Sequence, residues 1–402
     1  MKILVVSQYY YPEQFRINDI CETLVSLGND VTVLTGLPNY PKGEIFPEYK
    51  NGQNRKQNIN GVEVIRVPLV GRGKGLKGLI MNYLSFMLTS SLKSLFLSKK
   101  FDAVFVYQLS PVTMVLPAIL YKWKSRRKVL LYCLDIWPES IASAGIKQSS
   151  ILYKVLLKIS KYLYKNVDQI SVTSSSFKNY FADILKIDAN NIKYLPQYAE
   201  KLYTQSSEGS LHRQQDSINL LFAGNIGEMQ SVETIILAAN ELKDIGNLRW
   251  HIVGDGSAKA TCEELVKKLN LQNYVIFHGQ QPVSKMPEYF TDATALLVTL
   301  KDNEYISYTL PGKVQSYMAA GKPIIASING ETRKVIEESN CGLCCPAEDY
   351  ISLAKIVRKF ISDSNSHRVF SKNALNYYNK HFSKNAFINN LQEELNKLKR
   401  DV

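Results

Sequence analysis

The feature that most constrains this chain is an alternation of two periodicities. Continuous apolar runs at Lys2–Ser7, Asp30–Thr35, Val62–Val67, Ala103–Tyr107, Val129–Leu134 and Gln169–Thr173 are too short to be buried helices. Between several of them lie helical segments such as Phe15–Leu27, which Gly28 closes. Uninterrupted apolar strands alternating with helices require a parallel sheet covered on both faces. The pattern fades at the polar stretch around Tyr198–Ser217, which reads as a linker, and then restarts. Strands are expected at Asn219–Ala223, Arg249–Val253, Val275–Phe277, Ala295–Val298 and Pro323–Ala326, with helices at Val232–Leu242, Cys262–Leu269 and Lys313–Ala320. A last helix covers Phe382–Arg400. The expected fold is therefore α/β, with two Rossmann-like doubly wound domains facing across a cleft. Ligands in such sheets bind beyond the carboxyl ends of the strands. The 402 residues suffice for two cores of ordinary size.

Charge divides the chain unevenly. Residues 1–200 hold 26 Lys and Arg against 14 Asp and Glu, whereas residues 201–402 hold 23 against 22. A basic first half suits an anionic partner, either nucleic acid or a membrane surface; a solvated basic face is the plain alternative. Lys74, Lys77, Lys93, Lys99 and Lys100 flank an apolar helix at Leu79–Leu97, and LYKVLLKISKYLYK (Leu152–Lys165) interleaves lysine with Leu and Tyr. This pattern fits a helix lying on anionic lipid. No nucleic-acid-binding motif occurs, and nucleic acid is not expected as a partner. Neither a signal peptide nor a membrane span is expected: Gly78–Leu92 lacks charge but is short and contains Asn82. Of six cysteines only Cys341, Cys344 and Cys345 cluster, and one CxxC with no second pair reads as a buried strand rather than a zinc site. No metal is expected.

Three glycine-bearing turns point to phosphate. In LLFAGNIGEMQ, a strand runs into Gly224-Asn225-Ile226-Gly227, with Gln230 beyond; in HIVGDGSAK, another runs into Gly254-Asp255-Gly256, with Lys259 opening a helix. Glycines there let backbone approach a phosphate at a helix N-terminus, although a tight βα turn needs them too. The third is YTLPGKVQSYMAAGKP, Tyr308 to Pro323, where Gly312 and Lys313 begin a helix. It is no Walker A loop, because Ser307 and Val314 occupy the positions of that motif's first glycine and its hydroxyl. A solvated lysine in the first turn is the plain alternative, but a cation at a helix N-terminus opposes the helix dipole, so some other contact, such as a bound diphosphate, should justify it. In the first half, YCLDIWPESI places Asp135 and Glu139 just past a strand, where acid–base work needs a carboxylate and where helix capping is the ordinary use. All five histidines lie in the second half. Glu13 and Arg16 in QYYYPEQFR, and Asn39 and Tyr40 in GLPNYPKGE, fall on loops after the first two strands.

Taken in order, YYYPE, GLPNYPKG, LDIWPES, AGNIGEMQ, GDGSAK and PGKVQSYMAAGKP resemble the retaining GT-B glycosyltransferases of family 4 over essentially the full length. The resemblance is to the bacterial O-antigen and capsule branch that includes N-acetyl-L-fucosamine transferases. It implies an acceptor domain at 1–197 and a nucleotide-sugar domain at 198–382, with a terminal helix, 383–402, packing back on the first. The implied reaction moves a hexosamine, N-acetylated and deoxy, from a UDP-sugar to a polyprenyl-diphosphate-linked saccharide. No cofactor or metal takes part, and the enzyme sits peripherally on the cytoplasmic face of the plasma membrane. A UDP-sugar 2-epimerase on the same fold and an inactive scaffold of polysaccharide assembly are the rival readings. The resemblance assigns the donor side to Gly224, Asn225, Gly227, Gln230, Gly254, Asp255, Gly256, Lys259, His278, Gly312, Lys313 and Ser316. Asp135 and Glu139 are the candidates for acid–base work; Glu13, Arg16, Asn39 and Tyr40 serve the acceptor. The chain departs from the family around Glu13-Gln14, where a glycine pair is usual after the first strand, and at four further positions. Tyr308 and Ser316 stand where two glutamates are usual, Asn225 and Gln230 where an arginine and a lysine are usual.

Overall fold

The computed structural model describes residues 1–73, 75–142, 146–204 and 217–400, Arg400 by its backbone alone. The expected linker 206–217 lies outside these residues but for Ser217, as does Lys74. The chain forms two compact units: Met1–Leu195 together with the chain from Ile388 onward, and Pro196–Phe387.

The first unit holds β1 (Lys2–Val6), β2 (Asp30–Gly36), β3 (Lys56–Ile59), β4 (Val62–Val67), β5 (Ala103–Gln108), β6 (Val129–Cys133), β7 (Gln169–Val172) and β8 (Ile192–Tyr194). They form one sheet in the order β3-β4-β2-β1-β5-β6-β7-β8. All pairings are parallel except β3 with β4. That exception escaped the sequence reading, although its signal was present. Asn60 and Gly61, both at positive φ, make the two-residue turn that an Asn-Gly pair favours.

The second unit holds β9 (Ile218–Ala223), β10 (Leu248–Val253), β11 (Val275–Gly279), β12 (Ala295–Thr299), β13 (Ile324–Ser327) and β14 (Gly342–Cys345). Their order is β11-β10-β9-β12-β13-β14, all parallel. Alternate side chains feed two cores. Leu220 and Phe222 pack with Trp250, Ile252 and Leu297 on one face. Leu221 and Ala223 pack with Val253, Leu296 and Val298 on the other. Such period-two burial is what a sheet sandwiched between helices demands.

In both sheets the strand order reverses beside the first strand, between β1 and β5 and between β9 and β12. The crevice at such a switch point is where doubly wound folds hold ligands. The glycines after β9 and β10 lie at this edge of the second unit. Gly224 and Gly254 sit at φ +144° and +147°. A Cβ on Gly254 would run into the carbonyl oxygen of Gly224, so two loops touch backbone to backbone there. By contrast, Gly246 has nothing within 4 Å of such a Cβ. Gly254→Ala should therefore cost more than about 2 kcal/mol of stability, and Gly246→Ala less than about 0.5 kcal/mol, read from urea midpoints.

Candidate functional site

In the second unit the site grows from the touching loops. Gly224 N–H donates to Val253 O and Ile226 N–H to Asp255 O, both at 2.9 Å, and Ala258 N–H donates back to Ile226 O at 2.9 Å. This ladder fixes the turn at Gly224–Gly227 against the turn at Gly254–Gly256. Asn225 places its amide beside both Gly227 and Gly256. The Gly312–Ala319 helix is then pinned to β9, where Ala223 N–H donates to the Tyr317 hydroxyl and that hydroxyl donates to Ala223 O, each at 3.1 Å.

This anchoring carries Lys313 into the turn. Its ammonium lies 4.0 Å above the centroid of the Phe222 ring and donates to Gln230 Oε1 at 2.7 Å. It lies 3.2 Å from the point that a Cβ on Gly224 would occupy. Burial lowers the Lys313 pKa to about 7. Among the described residues it forms no ion pair. Val314 N–H donates to Pro311 O at 2.9 Å, which leaves the Gly312 and Lys313 amides at the helix N-terminus without an intrahelical acceptor. A desolvated cation, two glycine turns and a helix N-terminus therefore converge at the switch point, an arrangement built for a polyanion.

The other expected donor-side residues fall at different distances from this centre. Gln230 joins it directly. Ser316 is buried, and its hydroxyl bonds Gly312 O at 3.2 Å and Glu200 Oε2 at 3.5 Å. Asp255 is exposed and its carboxylate accepts from Gly256 N–H at 2.8 Å. Lys259 pairs with Glu263 one helical turn on, at 3.8 Å. His278 lies at the end of β11, its Nε2 2.9 Å from Nδ1 of His251, with Tyr289 edge-on to its ring. Sequence reading missed Phe222 and Tyr317, whose apolar strand and helix positions carry no ligand signal.

The first unit presents its own set at the carboxyl edge. Asp135 follows β6, and its carboxylate accepts from the Ser110 hydroxyl, which accepts from Trp137 Nε1 at 2.9 Å. Glu139 is only 5% exposed. It accepts from the hydroxyls of Tyr153 and Tyr180, the latter at 2.8 Å, and from Gln148 Nε2 at 3.0 Å. The two carboxylates thus differ in kind: Glu139 knots three segments together, whereas Asp135 is half-buried at the edge. Glu13 accepts the Asn39 and Tyr40 amides at 2.8 and 2.7 Å and so shapes the loop after β2. Burial pushes its pKa up to about 7 against those bonds. Arg16 is half-buried and opens the Arg16–Ser26 helix. Tyr40 stands 40% exposed in an aromatic trio with Tyr9 and Phe15, centroids 5.0–5.9 Å apart. Among the described residues no group of three His, Cys, Asp or Glu could hold a metal ion.

Comparison with known proteins supplies a family. Residues 14–197 match the glycosyl transferase 4-like domain, and residues 205–377 match glycosyl transferases group 1. The chain is 25% identical over 339 residues to "Putative colanic acid biosynthesis glycosyl transferase WcaI" of Escherichia coli, covering 80% of this chain and 82% of that protein. It is 23% identical over 260 residues to "Probable glycosyltransferase WbjE" of Pseudomonas aeruginosa, spanning 62% of this chain and 63% of that protein's length. Among solved structures, sucrose-phosphate synthase from Thermosynechococcus elongatus superposes with a TM-score of 0.78 at 17% identity, all of both chains covered. Anabaena Alr3699/HepE, in complex with UDP, gives 0.72 at 16%, covering 99% of this chain and 100% of that one. These structures share the GT-B fold with this chain.

The contrast between the carboxylates is measurable. Glu139→Ala removes the acceptor of two buried hydroxyls and should cost about 2–4 kcal/mol. Asp135→Asn should leave the urea midpoint within about 0.5 kcal/mol of the parent.

Proposed function

We propose that this chain, a glycosyltransferase made of a 4-like domain and a group 1 domain, moves a sugar from a UDP-sugar to a lipid-linked saccharide in bacterial surface polysaccharide synthesis. The observation that carries the donor side is Lys313, a desolvated cation held against the Gly224 turn with no counter-ion among the described residues. A nucleoside diphosphate supplies what that site lacks. As the glycosidic bond to the diphosphate breaks, negative charge grows on the leaving oxygens, and Lys313 with the Gly312 and Lys313 amides stabilises it in place of a metal. The likeness to a structure holding UDP supports uridine as the nucleoside. Retention of anomeric configuration follows from the family resemblance, with the leaving phosphate helping to deprotonate the acceptor hydroxyl. Asp135, held by Ser110, orients that hydroxyl. An N-acetylated deoxyhexosamine is the proposed sugar. The relative named for colanic acid biosynthesis supports the surface-polysaccharide setting.

The acceptor's lipid implies a membrane surface, and the first unit offers a face for one. The Leu76–Phe96 helix leaves Leu76, Ile80, Leu84, Leu88, Leu92 and Phe96 exposed at four-residue spacing. The Ile151–Lys165 helix exposes Ile151, Val155, Ile159 and Tyr162 among Lys154, Lys158 and Lys165. Apolar side chains interleaved with lysine match the boundary of an anionic leaflet. No helix of the described residues is long and apolar enough to cross a membrane, so the proposed attachment is peripheral, on the cytoplasmic face. Sedimentation with vesicles checks it. Phosphatidylglycerol vesicles should retain the protein and phosphatidylcholine vesicles should not, and Lys154→Glu with Lys158→Glu should release it.

Donor binding is tested by calorimetry with UDP and UDP-sugars. Micromolar binding is expected; no binding of any UDP-sugar would overturn the reading. Because the free Lys313 titrates near pH 7 while a bound diphosphate holds it protonated, binding takes up a proton above that pH. Affinity should therefore fall as pH rises from 7 toward 10, by up to about tenfold per unit, and Lys313→Gln should flatten the dependence. A donor screen against a lipid-linked N-acetylhexosamine, read by mass, names the sugar. A UDP-sugar epimerised without acceptor would instead favour the epimerase, and binding without turnover the scaffold.

A further inference from the structure

Two arginines near the carboxyl edge of the first sheet are used in opposite ways. Arg66, on β4, is consumed by the fold: its guanidinium donates to Asn54 O, Gln57 Oε1 and Tyr11 O at 2.6–3.2 Å and lies over the Tyr49 ring. Arg72, five residues beyond the end of β4, is held by its backbone instead. A buried amide chain does this. Gln8 Nε2 donates to Asn82 Oδ1 at 2.7 Å, and Asn82 Nδ2 donates to Asn39 Oδ1 at 3.2 Å and to Val70 O at 2.7 Å. Asn39 Oδ1 also accepts the Arg72 N–H at 3.2 Å. Gln8, Asn39 and Asn82 are at most 1% exposed. Three buried amides thus clamp the chain on both sides of Gly71, a costly device for a loop that carries nothing.

What the clamp delivers is a guanidinium with open donors. Its carbon lies 5.8 Å from the centroid of the half-exposed Tyr40 ring. Among the described residues the side chain forms no ion pair and no hydrogen bond. The charge acts on its surroundings, opposing the burial that raises the pKa of Tyr9 and Tyr83. Asp135 acts on the same Tyr83 phenol with the opposite sign. The edge of this unit therefore carries a positioned cation and a carboxylate that both act on Tyr83, with the Tyr40 ring beside the cation. A planar guanidinium beside an aromatic ring, with none of its donors taken up among the described residues, is suited to two oxygens of one phosphate.

We propose that Arg72 binds the anomeric phosphate of the acceptor, and that the accepting sugar is the one attached directly to that phosphate. The inference rests on the glycosyltransferase reading above and names its acceptor class: a sugar 1-phosphate or 1-diphosphate. Arg72 takes the phosphate, Tyr40 the sugar's apolar face, and Asp135 a hydroxyl across the ring.

Three probes separate the possibilities: farnesyl-diphosphate-linked N-acetylglucosamine, N-acetylglucosamine 1-phosphate, and the neutral octyl N-acetylglucosaminide. Their affinities for the full chain are read by calorimetry, with urea midpoints checking that each variant folds. The parent should bind the farnesyl probe at least about tenfold tighter than the octyl one. Arg72→Ala should bring that ratio close to one, and Arg72→Lys should leave it intermediate. Equal preference for the two phosphate probes assigns recognition to the phosphate alone; preference for the farnesyl probe adds the lipid. A parent that does not distinguish charged from neutral probes, or an Arg72→Ala ratio equal to the parent's, overturns the proposal. Transfer from the UDP-sugar in the same protein reports on the enzyme reading separately, so the two can fail independently.

Discussion

The second unit is organised around one uncompensated charge. Lys313 stands at the head of a helix whose dipole opposes it, over an aromatic ring, with a neutral amide as its hydrogen-bond partner among the described residues. The ring face and the amide offset part of the lost hydration, yet burial still drives the ammonium toward its neutral form. The surrounding structure holds it there: Tyr317 locks the helix to β9, and glycines at 224 and 254 let two backbones close beneath it. A site strained by its own cation is relieved by an anion, so binding gains what folding forgoes.

The first unit solves a different problem. Its switch point is lined by neutral and mixed groups, and its polar side chains mostly hold backbone. Glu13 holds the 39–40 amides, the Gln8–Asn82–Asn39 chain holds residues 70–72, and Glu139 ties Tyr153, Tyr180 and Gln148. Asp135, Arg72 and the Tyr40 platform stand at this edge, where a ligand can meet them. The acceptor proposed for this edge asks for one cation for its phosphate, one carboxylate for a hydroxyl and a ring to stack on. A rigid frame with few exposed functional groups meets that demand.

How far the sequence revealed this follows from what kind of signal each feature leaves. Strands buried on both faces are legible as unbroken apolar runs, and they lie within a residue or two of where periodicity put them; the final helix starts at Lys384 rather than Phe382. Short edge strands β3 and β8 have half-exposed, mixed sequences and left no such trace. In the site, Lys313 and the glycine turns were legible because glycine and a misplaced cation are chemically odd where they stand. Arg72 and Ser110 were not, because each sits in an ordinary loop and gains meaning only from neighbours tens of residues away. Glu139 illustrates the converse. Its place just past a strand suggested acid–base work, yet burial between two tyrosines gave it structural work that no local pattern encodes.

The departures from the family pattern now form a consistent set. The resemblance places an arginine and a lysine at 225 and 230, and glutamates at 308 and 316; this chain has Asn, Gln, Tyr and Ser. Two cations and two anions are replaced together, so the formal charge at these four positions is unchanged. Losing only the cations would leave carboxylates repelling a diphosphate; losing only the anions would bury excess positive charge. The paired replacement avoids both and leaves Lys313 as the charge that meets the phosphate. Carboxylates are still at hand beside the two altered positions. The Tyr308 hydroxyl lies 3.3 Å from Glu304 Oε1, and the Ser316 hydroxyl 3.5 Å from Glu200 Oε2. Each neutral residue therefore touches an exposed glutamate rooted elsewhere in the backbone. Negative charge thus stands beside these positions rather than at them, which suits the proposal that one lysine holds a diphosphate where the family's pattern uses several cations.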